Sequence, residues 1–294
     1  MLEEFGAQRI RLSQAEIFLR IGGEGPPLLF LHGYPQTHFI WHRVAPRLVR
    51  SFTLVMPDLR GYGRSKGPPP DPEHRAYSKR RMAEDMVAVM ERLGFARFHL
   101  AGRDRGGRVG YRLCLDHPER VERFAALDIV PTLEVWDQMD WRRALATYHW
   151  PFLAVPAPLP ERLIGAEPEF FVRHLIDRWA GRADALNAGA VADYIAQFRD
   201  PAVIAATCED YRAGAGVDRE DDLADRVAGR KIRCPVLVIW GRGYSASAQS
   251  PAEVWRRWAD QVEEVALDCG HFLAEEEPQA CAEALVRFFG AAVG

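Results

Sequence analysis

The stretch Gly102-Arg103-Asp104-Arg105-Gly106 constrains the fold of this chain more than any other. It follows a short apolar run, Phe98-His99-Leu100-Ala101, and leads into an amphipathic segment over residues 107–117. An apolar strand, a glycine-flanked turn and a helix form a nucleophile elbow, which pushes its central side chain out over the edge of a sheet. The flanking glycines permit the sharp turn and the close packing of helix on strand. The central residue here is an aspartate, where an attacking serine is usual. A carboxylate that attacks a saturated carbon displaces a leaving group and becomes an ester of the protein's own side chain. Water can then cleave that ester at the aspartate's carbonyl carbon and restore Asp104.

The surrounding sequence supplies the sheet that such an elbow needs. Partial alternation over residues 10–21 predicts an opening strand pair. Short buried-type strands are expected at residues 28–31, 52–56, 98–101, 124–127, 236–240 and 262–267. Helical segments lie between them, the clearest over residues 78–93, with Ser78 as N-cap and Gly94 placed to close it. Strands alternating with helices predict an α/β fold, a mostly parallel sheet covered on both faces. Pro68-Pro69-Pro70-Asp71-Pro72 continues neither element and reads as a loop. From residue 133 to about 225 the strand signal disappears and aromatic residues at helical spacing take over: Trp136, Trp141, Tyr148, Trp150, Phe170, Phe171, Trp179, Tyr194, Phe198 and Tyr211. We read residues 133–225 as an inserted helical cap and residues 1–132 and 226–294 as the core domain. Most of the cap aromatics are expected to pack cap against core, with a few lining a site.

Bulk properties remove several classes of function. The chain has 294 residues, 48% hydrophobic and 27% charged, the profile of an ordinary globular protein. A net charge of -3 gives no reason to expect nucleic acid or an anionic membrane as partner. No apolar run approaches the roughly 18 residues of a membrane span, and Met1-Leu2-Glu3-Glu4 does not open a signal peptide. The five cysteines, at 114, 208, 234, 269 and 281, are scattered without a C-x-x-C pair, as expected of reduced thiols in a cytoplasmic protein. No histidine or cysteine spacing suggests a metal site, and no cofactor is expected.

Three further features agree with the elbow. His32-Gly33-Tyr34-Pro35 follows the first buried strand, where this architecture places a turn facing the nucleophile. The backbone N–H of Tyr34, with that of Arg105, would form an oxyanion hole. Near the other end, Asp268-Cys269-Gly270-His271-Phe272 follows the last strand and offers His271 as general base. The third member must be a carboxylate that accepts the imidazole N–H. The loop after residues 236–240 reads Gly241-Arg242-Gly243-Tyr244-Ser245-Ala246-Ser247 and holds no acid. The preceding strand ends in Leu127-Asp128-Ile129-Val130-Pro131, so Asp128 is the acid by elimination, its alternative reading being a helix cap or loop aspartate.

These motifs, with Asp58-Leu59-Arg60-Gly61-Tyr62-Gly63-Arg64-Ser65, resemble the α/β-hydrolase superfamily. More narrowly, Asp104-Arg105-Gly106-Gly107-Arg108, Leu127-Asp128-Ile129-Val130-Pro131-Thr132, Tyr148-His149-Trp150 and Glu209-Asp210-Tyr211-Arg212-Ala213-Gly214 resemble the haloacetate dehalogenases, in particular the fluoroacetate dehalogenases. The resemblance spans core and cap. It implies Asp104 as nucleophile, Asp128 as acid and His271 as base, in agreement with the residue-level reading. It also implies Arg105 and Arg108 as anchors for a substrate carboxylate, and His149, Trp150 and Tyr211 as halide-binding donors. A homodimer acting on a small haloacid, without cofactor, is the further implication. Trp179 is a candidate lining residue. The spacing of Arg105 and Arg108, three apart at a helix start, places both on one face, where they could instead pair with cap acids. Arg103 and Arg112 fall on other faces and read as structural. Arg103, directly before the nucleophile, and the small, polar segment 241–249 are the two departures from the family's pattern. Two other readings stand beside this one: an epoxide hydrolase with the same Asp–His–Asp logic, and a non-catalytic receptor built on the same fold.

Overall fold

Runs of leucine, valine and isoleucine between glycine- and proline-rich turns build one eight-stranded sheet. The computed structural model describes residues 2–243 and 250–290. Its strands are β1 (Gly6–Arg11), β2 (Glu16–Gly22), β3 (Pro27–Leu31), β4 (Thr53–Pro57), β5 (Phe98–Arg103), β6 (Val121–Leu127), β7 (Val236–Gly241) and β8 (Val262–Leu267). They lie in the order β1-β2-β4-β3-β5-β6-β7-β8. β1 and β2 join antiparallel, and from β4 to β8 every neighbouring pair is parallel. β5 is buried along its whole length, as a central strand covered on both faces must be. β6 starts three residues earlier than the sequence pattern suggests. Exposed Glu122 hides its beginning, yet Val121 already pairs with Phe98.

Local chemistry sets the element ends. The Lys79–Arg92 helix begins where the Ser78 hydroxyl accepts the Arg81 N–H at 3.3 Å, and the chain leaves it through Gly94 at φ +86. The elbow helix, Arg105–Asp116, begins immediately after Asp104. Its glycines have a packing reason: a Cβ on Gly106 would lie 2.3 Å from the His32 carbonyl oxygen, and one on Gly102 would lie 2.6 Å from the Gly106 carbonyl oxygen. The helix therefore packs on β3 and β5 through bare backbone.

Between β6 and β7 the chain forms helices only, from Thr132–Asp137 to Val217–Val227. Trp150, Trp179, Tyr194, Phe198 and Tyr211 in this segment are buried, whereas Trp141 and Phe170 are 65% and 68% exposed. The Trp141–Ala146 helix buries none of its residues, so Trp141 packs on no core. The seam between sheet and inserted helices is strongly polar. Lys79 meets Asp210 and Asp218, Arg112 meets Asp222 and Asp225, and Arg64 meets Asp193. The Tyr111 hydroxyl donates to Asp222 at 2.7 Å. Pairs buried this deeply are costly to break singly, because the orphaned charge stays out of water.

Among the described residues no helix is long and apolar enough to cross a membrane. The cysteines are free thiols, although Cys114 and Cys234 approach to 4.0 Å between sulfurs. The loop that the sequence marks as acid-free lies outside the described residues from 244 to 249.

Replacement of Gly106 by alanine is expected to lower stability by about 1–3 kcal/mol, the usual range for an overpacked core. Urea denaturation with an unchanged slope checks it; a midpoint equal to that of the parent protein would contradict the close-approach argument.

Candidate active site

The C-terminal ends of the parallel strands deliver the chemistry to one edge of the sheet, where open α/β sheets bind ligands. Asp104 follows β5 at φ 49 and ψ −119, a conformation that L residues rarely adopt. Asp128 follows β6, also at positive φ (54). His271 follows β8, and Tyr34 lies in the turn after β3. Residues far apart in sequence thus converge because their strands are neighbours in the order β3-β5-β6-β7-β8.

Their geometry is specific. The Tyr34 N–H donates to Asp104 Oδ1 at 2.7 Å. The second oxygen, Oδ2, faces His271 Nε2 at 3.8 Å. On the far side of the ring, His271 Nδ1 is hydrogen-bonded to Asp128 Oδ2. Asp128 Oδ1 accepts the Gly241 N–H at 3.0 Å, which fixes the carboxylate. The His271 amide donates to the Trp179 carbonyl at 2.9 Å, tying the histidine loop to an inserted helix.

The electrostatics follow from burial. Loss of water alone would raise the pKa of Asp104, but Arg103, His271, Arg105 and Arg108 outweigh it and hold the carboxyl at about 2. Burial and the Arg103 guanidinium push His271 down, against the opposing pull of Asp128 and Asp104. Burial takes His149 to about 3, so its imidazole is neutral at neutral pH.

The residues expected around a substrate come together. Asp104, Asp128, His271, Arg105, Arg108, His149, Trp150, Tyr211 and Trp179 are each at most 8% exposed. The rings of Trp150 and Tyr211 meet edge-on at 5.7 Å, and those of His149 and Tyr211 at 5.9 Å. Trp179 lies 4.5 Å from the His149 ring and 5.7 Å from the His271 ring, bridging the two histidines. The guanidinium carbons of Arg105 and Arg108 lie 5.4 and 4.5 Å from the Trp150 ring. Two surface depressions, of about 480 and 610 Å³, are lined by none of these residues.

The two arginines differ. Arg105 donates from Nε and Nη2 to the Asp210 carboxylate at 2.9 and 2.8 Å, so it ties elbow to inserted helix, while its Nη1 is buried without a partner. Asp210 is in turn held by Lys79 and by the Tyr62 hydroxyl. Arg108 donates to the Val130 carbonyl at 2.9 Å and to Thr132 Oγ1 at 3.3 Å, and its Nε has no partner. Among the described residues Arg108 has no carboxylate partner. Burial and Arg105 both disfavour its charge. A buried cation of this kind is an incomplete ion pair that an anionic ligand would complete.

Several motif residues that look reactive in the sequence hold structure instead. His32 accepts the Leu59 N–H at 2.9 Å, and Asp58 accepts from the backbone and ring of His38 and from the Arg64 N–H. Arg112, read as structural, pairs with acids of the inserted helices. Sequence reasoning missed the buried set Arg103, Gln36, Glu275 and Tyr194 behind the elbow, because its members come from four separate segments. Among the described residues no group of three or more His, Cys, Asp or Glu is arranged to hold a metal ion.

Comparison with known proteins places this geometry in a family. A family model described as the alpha/beta hydrolase fold matches residues 26–278. The fluoroacetate dehalogenase of a Burkholderia species is 42% identical over 98% of this chain and 95% of its own length. The soluble epoxide hydrolase of Corynebacterium sp. (strain C12) is 31% identical over 91% of each chain. Among solved structures, ALR0039 from Nostoc sp. PCC 7120, provisionally described as an alpha/beta hydrolase, superposes with a TM-score of 0.96 at 47% identity, covering 99% of each chain. The fold, the position of the elbow and these likenesses agree: the chain belongs to the α/β-hydrolase family.

Proposed function

We propose that this hydrolase converts a short 2-haloacid, with fluoroacetate or another haloacetate as the simplest case, into the hydroxy acid and halide. The observation that carries the reading is a buried carboxylate kept ionised at a strained elbow, beside a buried arginine that makes no direct ion pair with a carboxylate among the described residues. The 42% identity to a fluoroacetate dehalogenase supports it.

The substrate carboxylate completes the charge of Arg108 and takes the spare Nη1 of Arg105. Both guanidinium groups offset the repulsion between an anionic substrate and an anionic nucleophile. With Oδ1 engaged by the Tyr34 N–H, Asp104 Oδ2 attacks the α-carbon from the side opposite the halogen. The carbon–halogen bond breaks as the ester forms. Halide leaves toward the N–H and O–H donors of His149, Trp150 and Tyr211, which replace the water that a small anion would otherwise need.

His271 Nε2 then takes a proton from water, and the hydroxide adds to Cγ of Asp104. The resulting oxyanion develops where the Tyr34 N–H already points, with the Arg105 N–H as the second expected donor. Collapse breaks the bond from Cγ to the substrate-bearing oxygen. The hydroxy acid departs with a former aspartate oxygen and the proton from His271, and water's oxygen stays on Asp104. Asp128 keeps the imidazole oriented and stabilises its charged form.

Epoxide hydrolysis is the second reading, favoured by the 31% likeness to an epoxide hydrolase. Opening an epoxide needs tyrosine O–H groups to protonate the departing oxygen, and Tyr211 is such a group near the elbow. A neutral epoxide leaves the buried Arg108 without a counter-charge, so the haloacid reading is preferred.

Replacement of Asp104 by asparagine abolishes halide release, whereas His271→Gln releases about one equivalent and then stops, leaving the added mass of the ester on the protein. Heavy-oxygen water in a single turnover labels Asp104 before product; immediate label in the released acid rules the mechanism out. Arg108→Met raises KM for fluoroacetate by about tenfold to a hundredfold, the value of about 1.5–3 kcal/mol for lost hydrogen bonds to a charge. Turnover of styrene oxide but of no haloacetate would transfer the chain to the second reading. The rate of the first halide burst stays flat from about pH 8 down to about pH 5, because a carboxyl held at about 2 remains ionised throughout. A loss of burst between those limits would show that Asp104 titrates in that range.

A further inference from the structure

One buried cation beside the elbow helps keep Asp104 ionised but contacts neither substrate nor halide in the proposed chemistry. Arg103 is 1% exposed, and among the described residues it makes no direct ion pair with a carboxylate. Its Nε donates to the His271 backbone carbonyl at 3.2 Å. Its Nη1 donates to the Tyr34 backbone carbonyl at 3.4 Å and to Gln36 Oε1 at 2.7 Å. The guanidinium lies 4.7 Å from the centre of the Phe272 ring. A single side chain thus grips the turn after β3 and the loop after β8, from the last residue of β5.

Its far side is held as well. With its oxygen turned to Arg103, the Gln36 amide presents its nitrogen to Glu275 Oε2. The Tyr194 hydroxyl, from the inserted Ala188–Gln197 helix, donates to the other oxygen of Glu275 at 3.1 Å. Glu275 is 1% exposed, so it is a counter-charge placed one amide away from the arginine and shielded from water.

We propose that Arg103 is a positioning residue for hydrolysis of the covalent ester, clamping the Tyr34 turn and the His271 loop to the elbow, with Gln36 and Glu275 fixing its own orientation. The inference rests on the covalent-ester reading above. Both groups it grips act in the second half-reaction, and the Tyr34 N–H also holds Asp104 Oδ1 during the first. The Tyr34 N–H meets the oxyanion, and His271 activates the water. The groups that hold the substrate carboxylate and the halide, Arg108, His149, Trp150 and Tyr211, make none of these contacts. A fixed cation behind the elbow also stabilises the negative tetrahedral intermediate without reorganising as charge develops.

The charge has a second consequence. Among the described residues the charged and titratable groups facing His271 include Arg103 and Asp104 at the elbow, Asp128 after β6, His149 on an inserted helix and Glu276, which accepts the N–H groups on either side of the histidine. Asp104 and Asp128 favour the imidazolium; Arg103 opposes it. His271 must be neutral to act as a base, so a neighbouring cation extends ester hydrolysis to lower pH. Removing that cation moves the acid limb upward.

The test uses the full chain, fluoroacetate, and rapid-quench measurement of halide release and ester decay. Arg103→Met is expected to slow ester decay by about tenfold or more, less than the roughly hundredfold or more for a lost direct oxyanion donor, and, at a pH where Asp104 stays ionised without it, to slow the halide burst by less than the decay. The acid limb of ester decay moves to higher pH, because the cation that opposed the imidazolium is gone. Arg103→Lys, which keeps the charge but not the fork, returns the acid limb to its original position while decay remains slow. If Arg103→Met fails to fold, judged by its melting curve, Arg103→Lys alone decides through decay rate and limb. Parallel loss of burst and decay, or decay and acid limb both unchanged, overturns the proposal. Absence of any ester in the parent protein overturns the underlying reading instead, so the two failures are separately visible.

Discussion

The arrangement depends on keeping a carboxylate charged where water has been removed. Asp104 is buried, and burial by itself favours the neutral acid, which would be a poor nucleophile. Arg103 from the strand and Arg105 and Arg108 from the helix that follows reverse that preference. All three arrive with the elbow itself, so the residues that make the turn also supply its electrostatic field. The backbone contributes through the Tyr34 N–H, which takes one carboxylate oxygen and leaves the other facing His271. A low-dielectric enclosure strengthens each of these interactions, and it makes each omission costly.

That enclosure is created by the helices inserted between β6 and β7, and buried ion pairs join them to the sheet alongside apolar packing. Asp210 illustrates the coupling. It binds Arg105 and Lys79 and accepts from Tyr62, so one carboxylate on an inserted helix orients a cation at the site and also anchors the helix. Glu276 acts similarly at the histidine loop, accepting the N–H groups of Gly181 and Arg182 from the inserted segment and of Gly270 and Phe272 beside His271. Enclosure of the site and alignment of His271 therefore share the same contacts. Among the described residues Arg103 and Arg108 stand outside this pairing, and of the two Arg108 is the one beside the expected halide donors. On the proposed reading its missing counter-ion is the substrate.

Much of this was legible before any coordinates. Asp104 could be read because an elbow is a local pattern, and His271 because it follows the last strand at a fixed place in the chain order. Asp128 was found only because the more usual loop held no acid, and the structure brings its carboxylate onto the His271 ring. The spacing of Arg105 and Arg108 put them on one helical face but gave no means of dividing their work; Arg105 turned out to be largely engaged by Asp210. The Arg103–Gln36–Glu275–Tyr194 set left no local signature, since nothing in a linear sequence links residues up to 239 positions apart. Trp141 and Phe170 show the converse: aromatic spacing alone did not distinguish buried rings from exposed ones.

The sequence by itself determined the strand–helix alternation, the elbow with its aspartate, and the order in which Asp104, Asp128 and His271 appear. These are short-range consequences of hydrophobic period and of the steric freedom of glycine, and neighbouring residues carry them. Only the tertiary structure decided which charges are paired and which are left over. Partnership among Arg103, Arg105, Arg108, Asp210 and Glu275 depends on distances of a few ångströms between segments far apart in the chain. At that range the loss of water, more than the identity of any residue, sets the strength of each interaction.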